Sequence, residues 1–349
     1  MFGLDFSMLT AAEVLYAAPR LEAQIAAALC HAVFWYFWVN YISPSFVRPI
    51  IINMRSKEQL LAQNKHMLKK VFLIDLGDSP EAKNILFETT VVIFGVIMQH
   101  GVGGALCVPA IAGGFGLAPR VVAAMVCQGG LCEVGFEIQD TLQRIKMLLF
   151  DGARGKQFNP PGFLLIMMFH HTCAQCLVIP NNIHYRDNVH YAEGVFLLQG
   201  AAFGAFFLQQ YGYTLDIKRR AGLLQMKLIV TVTMLIMVWS RLVRYGWLWY
   251  LLISLYHADG SVVFKLALPP VVLMSLFNVL ILLDAVAKFA KFLPMRLDHA
   301  HLHHHATMAL DSPHPRTNTN VWPMSKSHKE WSKLKGAVMM GAFHKAKGH

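Results

Sequence analysis

The chain has 349 residues, 55% of them hydrophobic and only 15% charged, and its mean hydropathy is +0.43. Ordinary soluble domains run near about 45–50% apolar and about 25% charged residues, so this composition excludes a soluble globular protein and points to an integral membrane chain. The net charge of +11 needs no nucleic-acid partner, because lysine and arginine between apolar runs orient membrane spans and lean on anionic headgroups.

A bilayer core takes about 20 apolar residues per helix. On that measure seven spans are predicted, over Ile25–Ile42, Phe87–Val108, Val121–Leu142, Phe163–Pro180, Ala192–Tyr211, Leu228–Val243 and Leu266–Ala287. Residues 1–24 lack a basic start, and the first apolar run lacks a small-residue cleavage site, so no cleavable signal peptide is expected and the first span stays as an anchor. The next segment, 43–86, carries Arg48, Arg55, Lys57, Lys65, Lys69, Lys70 and Lys83. Within it, KEQLLAQNKHMLKKVF (Lys57–Phe72) has the spacing of a basic amphipathic helix lying on the membrane surface, with Leu60, Leu61, Met67, Leu68 and Val71 toward lipid.

Gly101, Gly103, Gly104, Gly113, Gly114 and Gly116 lie in and just after the second span, where small residues let helices approach closely. Basic residues recur at Arg144, Lys146, Arg154 and Lys156, then at Lys218, Arg219 and Arg220, and again in the tail. The intervening segments receive Arg20, Arg120, Arg186 and the Arg241/Arg244 pair. The positive-inside rule therefore predicts an outside N-terminus and a cytosolic tail. The apolar piece Gly246–Tyr256 continues the sixth helix, lies in the interface or forms an eighth span; an eighth would put the basic tail on the wrong side, so seven are expected.

From about Pro294 the composition shifts to His, Thr, Pro and Asn, and residues 294–349 are expected to be a largely disordered cytosolic tail with a short helix over Ser327–Phe343. DHAHLHHH (Asp298–His305) resembles one box of a di-iron enzyme, but such enzymes need several, so it is read as a metal-binding or polar tract. The six cysteines fall in or beside spans without partners at zinc spacing, and are expected to be small buried apolar residues. A seven-span receptor is disfavoured because the third span ends in QDTLQR, without an acidic-arginine-aromatic signature.

Polar side chains inside spans are costly and belong in a bundle interior or cavity. These are Glu88 and His100 in the second span, Glu133, Glu137 and Asp140 in the third, His170 and His171 in the fourth, and Glu193 and Gln199 in the fifth. A rise of 1.5 Å per residue brings His170 to the level of the acids of the antiparallel third span. Neighbouring residues point about 100° apart on a helix, so one histidine is expected to face a cytosol-open cavity and the other a neighbouring helix.

At these residues the chain resembles the TLC-domain family. GFEIQD (Gly135–Asp140) is similar to that family's G-Y-F-x-x-D pattern, the next span carries its histidine pair, and Glu193 in YAEGVFL stands where many members have an acid. The resemblance covers about Phe87 to Pro294. It implies an all-α polytopic protein in which six helices, over residues 87–293, surround a central lipid-accessible cavity, preceded by one anchor over 25–42. It also implies a secretory-pathway membrane and a role in lipid metabolism or membrane-lipid homeostasis.

The alternative is the activity of the family's ceramide synthases, which join an acyl group from acyl-CoA to a sphingoid base. Those enzymes continue from the histidines into L-H-D-x-x-D, whereas this chain has LLQGAAFG (Leu197–Gly204), so the non-enzymatic reading is preferred. His170, His171 and Asp140 are the catalytic candidates, and Glu137, Glu193, Gln199 and His100 the substrate-binding ones. No metal or resident cofactor is expected, with acyl-CoA a co-substrate only in the acyltransferase reading. The expected partners are membrane lipids, with homo-oligomerisation left open. The terminal KAKGH resembles a dilysine retrieval signal and points to the endoplasmic reticulum.

Overall fold

The computed structural model describes residues 4–260 and 262–296. The predicted tail helix at Ser327–Phe343, the DHAHLHHH tract and the KAKGH terminus lie outside the described residues.

Several of the helices start where elementary capping chemistry prefers. A short α1 (Ala11–Leu15) opens with a capping box: Thr10 Oγ1 accepts from Glu13 N–H, and the Glu13 carboxylate accepts from Thr10 N–H at 2.8 Å. Then come α2 (Leu21–Phe37), α3 (Ser43–Asn53) and α4 (Lys57–Val71). Proline occupies the first position of α5 (Pro80–Ile111) and α6 (Pro119–Phe150), where its missing N–H costs nothing. A short α7 (Gly152–Phe158) leads to α8 (Pro161–His184), again begun by proline, and α9 (Val189–Tyr213) is capped by Asn188 Oδ1. The remaining helices are α10 (Arg220–Val238), α11 (Arg244–Ala258) and α12 (Val262–Phe292).

Seven helices are long and apolar enough to cross a membrane: Leu21–Asn53, α5, α6, α8, α9, Arg220–Ala258 and α12. Among the described residues there is no strand, and the chain is an all-α polytopic membrane protein. Two of the spans are joined helices with a π turn inside, at Trp38–Ile42 and Trp239–Val243. Near the first, Pro44 offers no N–H to the ladder, and side chains add bonds to nearby carbonyls: Asn40 donates to Tyr36 O at 2.8 Å and Ser45 to Ile42 O at 2.7 Å. The second settles the sixth span, because Gly246–Tyr256 continues the helix of α10. Arg241 and Arg244, expected as loop charges, lie inside that span. Arg241 donates to Leu198 O at 2.6 Å, and Arg244 pairs with Glu193 at 2.5 Å.

Of the seven spans, α6 is the most enclosed, and glycines decide what it touches. A Cβ on Gly135 would lie 2.3 Å from His31 Cβ of α2, one on Gly129 2.8 Å from Gly103 O of α5, and one on Gly130 2.8 Å from Val178 of α8. Against α9, Gly104 of α5 comes so near that an added Cβ would meet the Gly200 backbone at 2.8 Å. The predicted close-approach role therefore holds for Gly103 and Gly104, and for Gly101, whose added Cβ would lie 2.9 Å from the Phe203 ring of α9. Gly113, Gly114 and Gly116 instead form the turn after α5, with φ of 81°, 85° and 75° that favour glycine.

The amphipathic prediction for 57–72 is right about the helix and wrong about what covers it. Leu60, Leu61 and Leu68 of α4 are buried in clusters with residues of α3, α5 and α8 rather than turned to lipid, while Val71 is exposed. Asn64, in the middle of that face, is fully buried and exchanges two hydrogen bonds of 3.0 Å with Gln210 of α9. A buried amide needs a partner, and lipid tails supply none. The cysteines also divide: Cys107, Cys127, Cys132 and Cys173 are buried as expected, but Cys30 is exposed and Cys176 half-buried.

Candidate functional site: an acid–imidazole cluster between three helices

Residues four apart share one face of a helix, and Glu133, Glu137, Thr141 and Asp140 form such a row along α6. Arg144 extends it. Across from this row stand His170 and His171 of α8, and beside it Gln99 and His100 of α5.

The two neighbouring histidines part company. His170 Nε2 lies 3.7 Å from Glu133 Oε1 and 3.8 Å from Glu137 Oε1. His171 Nε2 faces Asp140 Oδ2 at 3.8 Å, and its Nδ1 is 2.9 Å from Thr141 Oγ1. The two rings divide in another way than the expected cavity and neighbouring helix: both face α6, each against a different carboxylate. Asp140 is also clamped by Arg144, at 2.7 and 3.0 Å, and the same guanidinium reaches Asn159 and stacks 4.5 Å above the Phe163 ring. Such a bidentate clamp fixes the acid's orientation.

Glu133 is the hub. It accepts from Gln99 Nε2 at 2.9 Å and faces His100 Nδ1 at 3.2 Å. Glu137 is different: its side chain is 1% exposed, and neither carboxylate oxygen has a hydrogen-bond partner among the described residues. Contacts of 3.7–3.8 Å to His170 are too long for hydrogen bonds. Aromatic rings wall the group, Phe277 of α12 at 5.4 Å from the His170 ring and Phe206 of α9 at 6.1 Å from His100. His171 is nearly sealed at 5% side-chain exposure, whereas His170 keeps 27%.

Of the predicted site residues, His170, His171, Asp140, Glu137 and His100 are brought together. Glu193 is not; its carboxylate is committed to Arg244. Gln199 is buried beside the cluster in a packing role, donating to Gly129 O at 2.8 Å, one turn from Glu133. Glu133, Gln99, Thr141 and Arg144 were not predicted. The i, i+4 pair Glu133/Glu137 was a usable signal, and the meeting of His170 with the acids of α6 was legible, but the approach of α5 with Gln99 was not in the sequence. The predicted cytosol-open cavity does not coincide with either of two surface hollows found elsewhere. One lies among Leu76, Glu81 and Arg154, the other among Gln175, Cys176 and Leu266.

Chemically, the cluster can exchange protons between imidazole and carboxylate, orient a polar group beside the open edge of His170, or hold a cation between Glu133 and Glu137. Comparison with protein families, curated proteins and solved structures yields no match to this chain.

Proposed function

We propose that this chain is a divergent TLC-like membrane protein that handles the polar head or acyl carbonyl of a membrane lipid at the His170 cluster, in lipid homeostasis rather than in a committed synthesis. One observation carries the reading: a partly exposed imidazole, His170, backed by two carboxylates inside a membrane-spanning bundle. Ionisable groups at such depth are expensive and mark functional sites by default. The residence proposed is the endoplasmic reticulum membrane, with the N-terminus lumenal and the tail cytosolic; the lysine and arginine distribution supports the orientation, and the TLC-like resemblance the residence.

Ceramide synthase-like acyl transfer is the second reading. What favours it is the same imidazole–carboxylate contact, which would let His170 act as base or nucleophile toward an acyl-CoA thioester. What weighs against it is the segment after the histidines, where Gln199 is spent on a backbone carbonyl and no aspartate is supplied. The test is a lipid profile of cells lacking the protein, rescued by the wild type or by His170→Asn. Rescue by wild type alone, with the variant inserted and equally abundant, supports lipid handling. Equal rescue by both removes the cluster from the function. Turnover of acyl-CoA and a sphingoid base by purified protein would select the acyltransferase.

A further inference from the structure

Glu133 and Glu137 set two carboxylates one turn apart in the most enclosed span, with a histidine opposite. One ligand atom from each of Glu133, Glu137 and His170 fits within a sphere where all three lie no more than 4.8 Å apart. From the shared imidazole nitrogen, the two carboxylate oxygens are 3.7 and 3.8 Å away. A divalent first-row ion with bonds of about 2.0–2.2 Å keeps its ligands about 3–4 Å from one another.

We infer that Glu133, Glu137 and His170 bind a divalent transition-metal ion, of which Zn²⁺ is the simplest probe. Charge supports this. Two anionic groups in a low-dielectric interior are costly when alone, and a dication between them leaves the ion and its two glutamates neutral. Unmet hydrogen-bonding capacity supports it independently. Both oxygens of the fully buried Glu137 lack a partner, and so does Gln99 Oε1, although the Gln99 amide reaches Glu133. Buried polar atoms without partners are rare enough to need an explanation, and a cation is one.

The surroundings fit the role. Gln99 and His100 hold Glu133 as supporting groups hold a metal ligand. Three protein ligands leave a coordination position open for water or a lipid oxygen. The sequence pattern hid the site because its ligands come from two helices rather than from a loop with zinc spacing. The proposal does not need lipid handling to be true, since the ion would be held with or without a lipid nearby.

The test uses the full chain in detergent with all nine tail histidines, His299, His301, His303, His304, His305, His314, His328, His344 and His349, changed to serine, so that no tail imidazole binds the metal. The protein is loaded with Zn²⁺, desalted and analysed by elemental mass spectrometry. One zinc per chain is expected, lost in Glu137→Gln and in His170→Asn and kept in Glu193→Gln. X-ray absorption of the zinc-loaded parent should show only nitrogen and oxygen ligands at about 2.0–2.2 Å. That measurement decides the matter should Glu137→Gln fail to accumulate. Absence of zinc from the parent, its retention in both ligand variants, or a sulfur ligand from a neighbouring cysteine would overturn the assignment. The lipid-rescue experiment succeeds or fails separately from this one.

Discussion

Asn64 and Gln210 exchange two amide hydrogen bonds of 3.0 Å across 146 residues of sequence. This reciprocal contact pins α4 to α9. Leaving one buried amide without its partner costs about 1–3 kcal/mol, so Asn64→Ala should loosen α4 while the spans persist. Limited trypsinolysis reads this out: cleavage near Arg55, Lys57 and Lys65 should accelerate in the variant. Replacing both residues by leucine should restore much of the protection, because no unpaired polar group then remains.

The crossing of α5 and α9 gives a sharper test of packing. Gly104→Ala would bring a methyl 2.8 Å from Gly200 backbone atoms, which cannot move aside. Overpacking of this kind costs about 1–3 kcal/mol. Gly194→Ala on the same α9 meets nothing within 4 Å and serves as the control. Thermal unfolding in detergent should fall clearly for the first and stay near wild type for the second.

His170 and His171 should fail in different ways. His171 is nearly buried and bonded to Thr141, so His171→Ala should lower accumulation and thermal stability. His170 has no hydrogen bond at Nδ1 and keeps an open edge, so His170→Asn should leave abundance near normal and remove lipid rescue. Equal stability loss in both would mean that His170 is packing and nothing more.

Topology can be checked with glycosylation acceptors fused to each end. The N-terminal tag should be modified and the C-terminal tag left bare in intact cells. Modification of the C-terminal tag would contradict the charge-based orientation.

The seven spans were legible because twenty apolar residues in a row are a bulk property that survives any detail of packing. Their true ends were harder. Hydropathy starts the second span at Phe87, whereas its helix begins at Pro80, since hydropathy sees the hydrocarbon and not the cap. The face of α4 shows a different limit: spacing reveals that one side is apolar, but only Asn64 within that side hints that protein rather than lipid covers it. Glu193 was misplaced for want of its partner, Arg244, 51 residues further on. Likewise Glu133 stood among the in-span polar residues, yet its rank as hub depends on Gln99 and His100 from another helix.

The π turn at Trp239–Val243 amounts to a surplus residue in an otherwise regular helix. Each residue of an α-helix advances the face by about 100°, and the wide turn takes up the surplus, so α11 keeps the bearing that a regular helix one residue shorter would give it. Tightening the wide turn to a regular one at the same chain length would rotate α11 by about 100°, take the fully buried Leu248 and Leu252 off their present bearing and bring the exposed Trp247 inward. Arg244 would leave Glu193 in the same rotation. Losing one residue here would instead leave a regular turn with α11 unturned, so this stretch is open to a one-residue change in length that the regular helices on either side of it are not.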